Sequence, residues 1–201
     1  MENITPTPAR TLSLPDLLHG LGNVFANVTG YILLALAVLV TAETLGRKFF
    51  DVSLQGVDEL GGYALAVGSA LAFTTALVER AHIRIELFHV MLPLPMQMVL
   101  NWFSITSLAA FGGLLSWACY TILSDSIEYN STAPTPWATP LVYPQSLWYA
   151  GIVIFALVSA AMALHATYLL VTGNGTALNR LYGPKEAVEE VKEELEDIAR
   201  R

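Results

Sequence analysis

The residues that could bind a metal ion fall on one short segment of this chain. Glu79 with His82 and Glu86 with His89 form two Glu-x-x-His pairs, spaced so that all four side chains would share one face of a helix. Carboxylate-bridged di-iron sites use this pair, but they take it from two facing helices and add two further glutamates. Because both pairs lie on a single segment, the pattern favours a polar stripe on a helix at a membrane surface. We predict no metal site.

Haem binding would need two axial ligands that face each other inside a helical bundle. Of the four histidines, only His165 lies within a long uncharged stretch, whereas His19, His82 and His89 lie at or outside the edges of such stretches. The sequence therefore predicts no cofactor and no catalytic site. We interpret His165 as a hydrogen-bonded packing residue or a contact to a partner.

The elements that would position these residues are long apolar helices. Only 13% of the residues are charged, against about 25% in a soluble domain, and the charges cluster between long uncharged windows. About 20 apolar residues suffice for a helix to cross the hydrocarbon core, and continuous rather than alternating runs favour helices over strands. We predict an all-α integral membrane protein with short interfacial helices and four transmembrane spans, at about residues 20–42, 60–78, 97–123 and 146–171.

The distribution of lysine and arginine predicts the orientation. One side would carry Arg10, Arg80, Arg84 and the basic residues from Arg180 onward, whereas the other would carry only Arg47 and Lys48. The positive-inside rule then places both termini in the cytoplasm. The predicted organisation is a cytoplasmic N-terminal segment (1–19), a four-span membrane domain (20–171) and a cytoplasmic, acidic, amphipathic tail (172–201).

The connections between the spans have different compositions. Residues 43–59 mix charges with aromatic residues, which suits a segment lying at the outer interface. Residues 79–95 have helical apolar spacing and predict a short amphipathic helix on the cytoplasmic surface. Residues 125–145 contain four prolines and should be non-helical. The single cysteine, Cys119, is interpreted as a small buried apolar residue.

The spans themselves lack the usual features of a complete carrier. None has an internal proline or a charge deep in the apolar window, and the two halves show no convincing internal repeat. Four plain helices are typical of a scaffold. The second predicted span supports this interpretation, because small residues there recur at every fourth position, which lets another helix approach closely. These are Ala64, Gly68, Ala72 and Ala76. The alternatives are a chance pattern or packing within the chain.

Three sequence blocks resemble one family. Residues 47–50 read Arg-Lys-Phe-Phe, residues 56–60 read Gly-Val-Asp-Glu-Leu, and residues 79–87 carry a His-Ile-Arg box that starts at His82. Together with Trp137 and the prolines before the last span, they resemble the small membrane subunit, of DctQ type, of tripartite ATP-independent periplasmic (TRAP) transporters. The resemblance covers roughly residues 42–170. The box more often continues with aspartate in this family, and Glu86 keeps that charge here.

The resemblance implies a function that depends on partners. A periplasmic protein would capture an organic anion, often a carboxylate, and a large multi-span subunit would carry the substrate and sodium sites in a bacterial inner membrane. The small subunit would pack against the large one and help to dock the binding protein, in contact with lipid and with no role for nucleic acid. The alternative is a cofactor-bearing four-helix membrane anchor or redox enzyme subunit.

Candidate interface or structural residues follow from the small-residue span and from the resemblance. Arg47 and Glu59 bracket the predicted outer loop, and we predict that they form an ion pair that joins two span ends. The full set of candidates is Arg47, Glu59, Ala64, Gly68, Ala72, Ala76, His82, Arg84 and Glu86.

Overall fold

The computed structural model describes residues 14–53, 55–80 and 91–183, with side chains from Gly20 onward. Within these residues the chain forms five helices: α1 (Leu14–Phe50), α2 (Val57–Val78), α3 (Leu94–Glu128), α4 (Val142–Val171) and α5 (Gly175–Tyr182). The first four are long and apolar enough to cross a membrane. The predicted all-α fold with four spans is therefore confirmed. The orientation of the termini stays a prediction.

Helix α1 continues beyond its predicted end. It includes Arg47 and Lys48 in its last turn, so residues 43–50 of the predicted loop 43–59 are helical and that part of the prediction is wrong. The location of this segment at the outer interface stays a prediction. Two threonine hydroxyl groups near this end of α1 find their hydrogen-bond acceptors within the helix. Thr41 and Thr44 donate to backbone carbonyls one turn earlier, at 2.7 and 2.8 Å. Basic residues in a last helical turn also interact favourably with the helix dipole.

The third connection is shorter than predicted. Helix α3 ends at Glu128 and α4 begins at Val142, so the non-helical segment is 129–141. Pro144 lies in the first turn of α4. A proline is tolerated there because the first-turn N–H groups have no partner within the helix.

The four long helices are arranged as a row. Helix α1 packs on α2, α2 also packs on α4, and α4 packs on α3, while α5 lies against α3 and α4. Only one stripe of α1 is covered, so this helix forms the edge of the row. The order α1–α2–α4–α3 leaves two broad apolar faces for lipid or other proteins.

Close contacts at small residues hold neighbouring helices together. A Cβ atom added at Gly151 of α4 would lie 2.8 Å from the Cβ of Ala70 on α2. One added at Gly112 of α3 would lie 3.2 Å from the Cα of Ala156 on α4. These helices therefore approach each other at positions where a larger side chain would have no room.

The apolar core is built around α4, which lies between α2 and α3 in the row. Phe155, Met162 and Ala166 of α4 are buried, in one cluster with residues of α2, α3 and α5. A second cluster joins Ala70, Cys119 and Ile152. Cys119 is 1% exposed, so its predicted role as a small buried residue is confirmed.

Helix α5 is fixed by polar contacts as well as by burial. Leu178 is fully buried, and the Asn101 amide donates to the Asn179 side chain at 3.0 Å. The Nδ1 atom of His165 is 2.7 Å from the Tyr182 hydroxyl, which confirms that this histidine is a hydrogen-bonded packing residue. Burial raises the pKa of Tyr182 to about 12. The helix lies within the segment that the sequence assigned to the tail.

Several predictions concern residues outside those described. Outside the described residues lie the first thirteen residues of the predicted cytoplasmic segment 1–19, residues 81–90 of the segment 79–95 that is predicted to form a surface helix, and the acidic tail from residue 184 onward. His82, Arg84 and Glu86 belong to this group. All of these stay predictions.

Orientation can be tested with single cysteines in a Cys119→Ala background. Thr132→Cys in segment 129–141 should react with an impermeant thiol reagent applied from the outer side, whereas Thr176→Cys in α5 should not, because the predicted topology places α5 in the cytoplasm. Both positions are exposed, so access does not limit labelling. Labelling of Thr176→Cys alone would reverse the predicted orientation.

Candidate functional site

The first connection, with the first turn of α2, meets the third connection at one end of the row, which we call the paired-loop end (residues 51–53, 55–60 and 129–141). Gly56 has a φ of 97°, a conformation that glycine adopts without strain. A Cβ added there would lie 2.6 Å from the Trp137 ring. The turn before α2 is therefore in direct contact with the third connection, and only glycine fits this contact.

Glu59 joins the same two segments through hydrogen bonds. It lies in the first turn of α2 and is 7% exposed. Its carboxylate accepts a hydrogen bond from the Tyr63 hydroxyl at 2.8 Å, and the Thr135 hydroxyl donates to its other oxygen. The Thr139 hydroxyl also bonds to this carboxylate. A carboxylate surrounded by hydroxyl donors suits a structural tie better than a base that accepts a proton in catalysis.

Backbone hydrogen bonds within segment 129–141 hold it in a folded conformation. The Ala133 amide donates to the Thr139 carbonyl and the Leu141 amide to the Ser131 carbonyl, each at 2.9 Å. Trp137 within this segment and Tyr143 just after it are each at least half exposed. The arrangement presents a shaped, partly aromatic surface with the Glu59 carboxylate beneath it.

Arg47 pairs with a different carboxylate from the one predicted. Its Nη2 atom is 2.6 Å from Oε1 of Glu43, and its Nε donates to the same oxygen at 3.2 Å. Glu43 is 5% exposed and also accepts the Ser53 hydroxyl at 2.7 Å. The predicted Arg47–Glu59 pair is therefore wrong. The reason is that α1 stays helical to Phe50, which places Glu43 and Arg47 four residues apart on one helix face.

Comparison with known families gives one clear match. Residues 36–167 match the family described as "Tripartite ATP-independent periplasmic transporters, DctQ component". This range is well over half of the chain. The chain belongs to the DctQ family.

Membership of the DctQ family defines the general role of the protein. It is a multi-pass membrane protein and the small permease subunit of a TRAP transporter, which agrees with its four apolar helices. The family is one of transporter components rather than of enzymes. No curated protein and no solved structure was found to match the chain.

Among the residues that the structure describes, the predicted interface residues do not form one site. Gly68 is buried against α1, where an added Cβ would lie 3.5 Å from Thr29. Packing within the chain thus uses this member of the small-residue stripe, as one alternative suggested. Ala72 is exposed, whereas Ala64 and Ala76 are intermediate.

Among residues 14–53, 55–80 and 91–183, no group of three or more histidine, cysteine, aspartate or glutamate residues could hold a metal ion. Glu79 is described, but its predicted companions His82, Glu86 and His89 lie in the part of the chain that is not described.

Sequence reasoning missed several residues in or beside the paired-loop end of this DctQ chain. Glu43, Thr135 and Gly56 were not singled out, although Gly56 belongs to one of the family blocks. The spacing of Glu43 and Arg47 was a usable signal, since oppositely charged residues four apart pair on a helix. The bonds from Thr135 and Thr139 to Glu59 had no such signal, because Thr135 lies 76 residues after Glu59 and Thr139 lies further still.

Proposed function

We propose that this DctQ subunit is a scaffold in a sodium-coupled transporter that takes up organic anions of the carboxylate class from a periplasmic binding protein. It packs against the large transport subunit and helps to dock the binding protein. The match of residues 36–167 to the DctQ component is the observation that carries this proposal.

The distribution of charge supports a scaffold role. Helix α4 contains no Asp, Glu, Lys or Arg, and the charged residues of the other spans lie within about two turns of a helix end. Ion and substrate sites in secondary transporters use polar groups and broken helices near the middle of the membrane. In this assembly those sites would therefore belong to the large subunit.

The paired-loop end is the proposed contact for the binding protein. The lysine and arginine distribution favours an outer location for this end. Its two connections are held together by the hydrogen bonds of Glu59 and by the Gly56–Trp137 contact. Trp137 and Tyr143 are exposed there, and aromatic side chains of this kind are enriched in protein interfaces. The exposed Ala72 is the member of the α2 stripe most open to a helix of the large subunit.

Uptake measurements test the scaffold role directly. The chain reconstituted alone, with a sodium gradient and candidate carboxylates, should show no uptake above empty vesicles, because its four long helices carry no charged residue near their middle. Vesicles that also contain the large subunit, with the binding protein added outside, should accumulate substrate. Sodium-dependent uptake by this subunit alone would contradict the proposal.

A further inference from the structure

An open cleft of about 330 Å³ lies between the end of α1 and the start of α2. Its charged lining consists of two cations, Arg47 and Lys48, and two anions, Glu43 and Asp58. Val40, Thr44 and Val57 complete the lining. The formal charges of the cleft sum to zero, although each sign is represented twice.

The position of the cleft indicates which molecules can reach it. Helix α1 spans the membrane and carries Arg47 and Lys48 in its last turn, where basic side chains normally lie among phospholipid headgroups. On the membrane side of the cleft, Leu33 and Val40 are 40% and 43% exposed. A lipid whose headgroup occupied the cleft could therefore place an acyl chain along this part of α1.

The charged groups of the cleft are held in place. Glu43 fixes the Arg47 guanidinium through two nitrogen atoms and is itself held by Ser53. Arg47 remains 63% exposed, so it has surface left to offer a ligand. Asp58 lies close enough to interact electrostatically with Arg47, which places a negative group beside the positive one.

We propose that this cleft binds the headgroup of a zwitterionic phospholipid that carries a primary amine, as in phosphatidylethanolamine. The lipid phosphate accepts hydrogen bonds from Arg47 and Lys48, and the ammonium group donates to Asp58. A net anionic headgroup would leave Asp58 facing a negative charge. A choline headgroup has no N–H to donate, because its nitrogen is fully methylated.

The test measures lipid retention by the full chain, together with any proteins that co-purify with it, in nanodiscs of defined composition. Nanodiscs containing equal fractions of phosphatidylethanolamine, phosphatidylcholine and phosphatidylglycerol are analysed by native mass spectrometry. Phosphatidylethanolamine should be retained about two- to fivefold above phosphatidylcholine, the range expected for exposed ionic contacts.

Variants then locate the binding. Asp58→Asn should remove this preference, because Asp58 is the acceptor for the ammonium group. Lys48→Gln should lower retention of both zwitterionic lipids, because both carry the phosphate that Lys48 contacts. Neither substitution leaves Glu43 without Arg47. Asp125→Asn is the matched control, since Asp125 is an exposed acid at the same end of the row but outside the cleft; it should retain the preference. Equal retention of the two zwitterionic lipids, strongest retention of phosphatidylglycerol, an unchanged preference in Asp58→Asn, or unchanged retention of both zwitterionic lipids in Lys48→Gln would overturn the proposal. None of these measurements depends on transport.

Discussion

Glu59→Ala should weaken binding of the periplasmic protein to the membrane complex about tenfold. The substitution removes the carboxylate that accepts hydrogen bonds from Tyr63, Thr135 and Thr139, so segment 129–141 loses its tie to α2. A partner would then have to order the segment on binding, and ordering one or two side chains costs about a factor of ten in affinity. Titration of the complex with labelled binding protein measures the effect.

A second measurement distinguishes whether Glu59 holds segment 129–141 in place from whether this segment binds the periplasmic protein. Amide hydrogen exchange of residues 129–141 should become faster in Glu59→Ala even without a partner. Asp125→Ala is the control, because it removes an exposed carboxylate at the same end without touching this segment's hydrogen bonds. Unchanged exchange would show that Glu59 does not hold the segment. Faster exchange with unchanged affinity would show instead that the segment does not dock the partner.

Thr135→Val tests the hydrogen bond between Thr135 and Glu59 by removing the donor instead of the acceptor. If the hydroxyl and the carboxylate act through each other, the effects of Thr135→Val and Glu59→Ala on exchange should combine to less than their sum. Strictly additive effects would mean that the two side chains act independently.

Gly151→Leu should separate α2 from α4 and destabilise the protein by about 1–3 kcal/mol, the usual cost of overpacking a well-packed core. The physical reason is distance, since even a Cβ at this position would lie 2.8 Å from the Cβ of Ala70. A lower midpoint of thermal unfolding in detergent, with less folded protein recovered by size-exclusion chromatography, is the expected result.

Gly113→Leu provides the matched control for this substitution. Gly113 lies on α3 with nothing within 4 Å of an added Cβ, so leucine there points into open space. Both substitutions raise helix propensity by a similar amount. Equal stability of the two variants would show that the α2–α4 contact is not tightly packed.

The sequence was sufficient to locate the four spans. In a membrane each backbone polar group must be bonded within its own segment, so a long apolar window has few alternatives to a helix. The windows at 20–42, 60–78, 97–123 and 146–171 each lie within a helix of the structure. The helix ends were less predictable, because α1 and α3 continue for about one to two turns past the apolar windows.

The spacing of residues along one helix was enough to predict one contact at this end of the protein. The Glu43–Arg47 pair needed only the knowledge that α1 remains helical, whereas the incorrect Arg47–Glu59 pair came from treating residues 43–59 as a loop. The family blocks correctly identified the type of subunit, but they did not indicate which atoms Glu59 contacts.

Only the tertiary structure decided which helices are neighbours and how the two connections meet. Four apolar helices can be arranged in several orders, and apolarity alone does not distinguish a face that meets another helix from one that meets lipid. The order α1–α2–α4–α3 follows from close fits, such as Gly151 on Ala70. The bonds from Thr135 and Thr139 to Glu59 exist because this order brings the third connection over the start of α2, a contact between distant segments that no local pattern encodes.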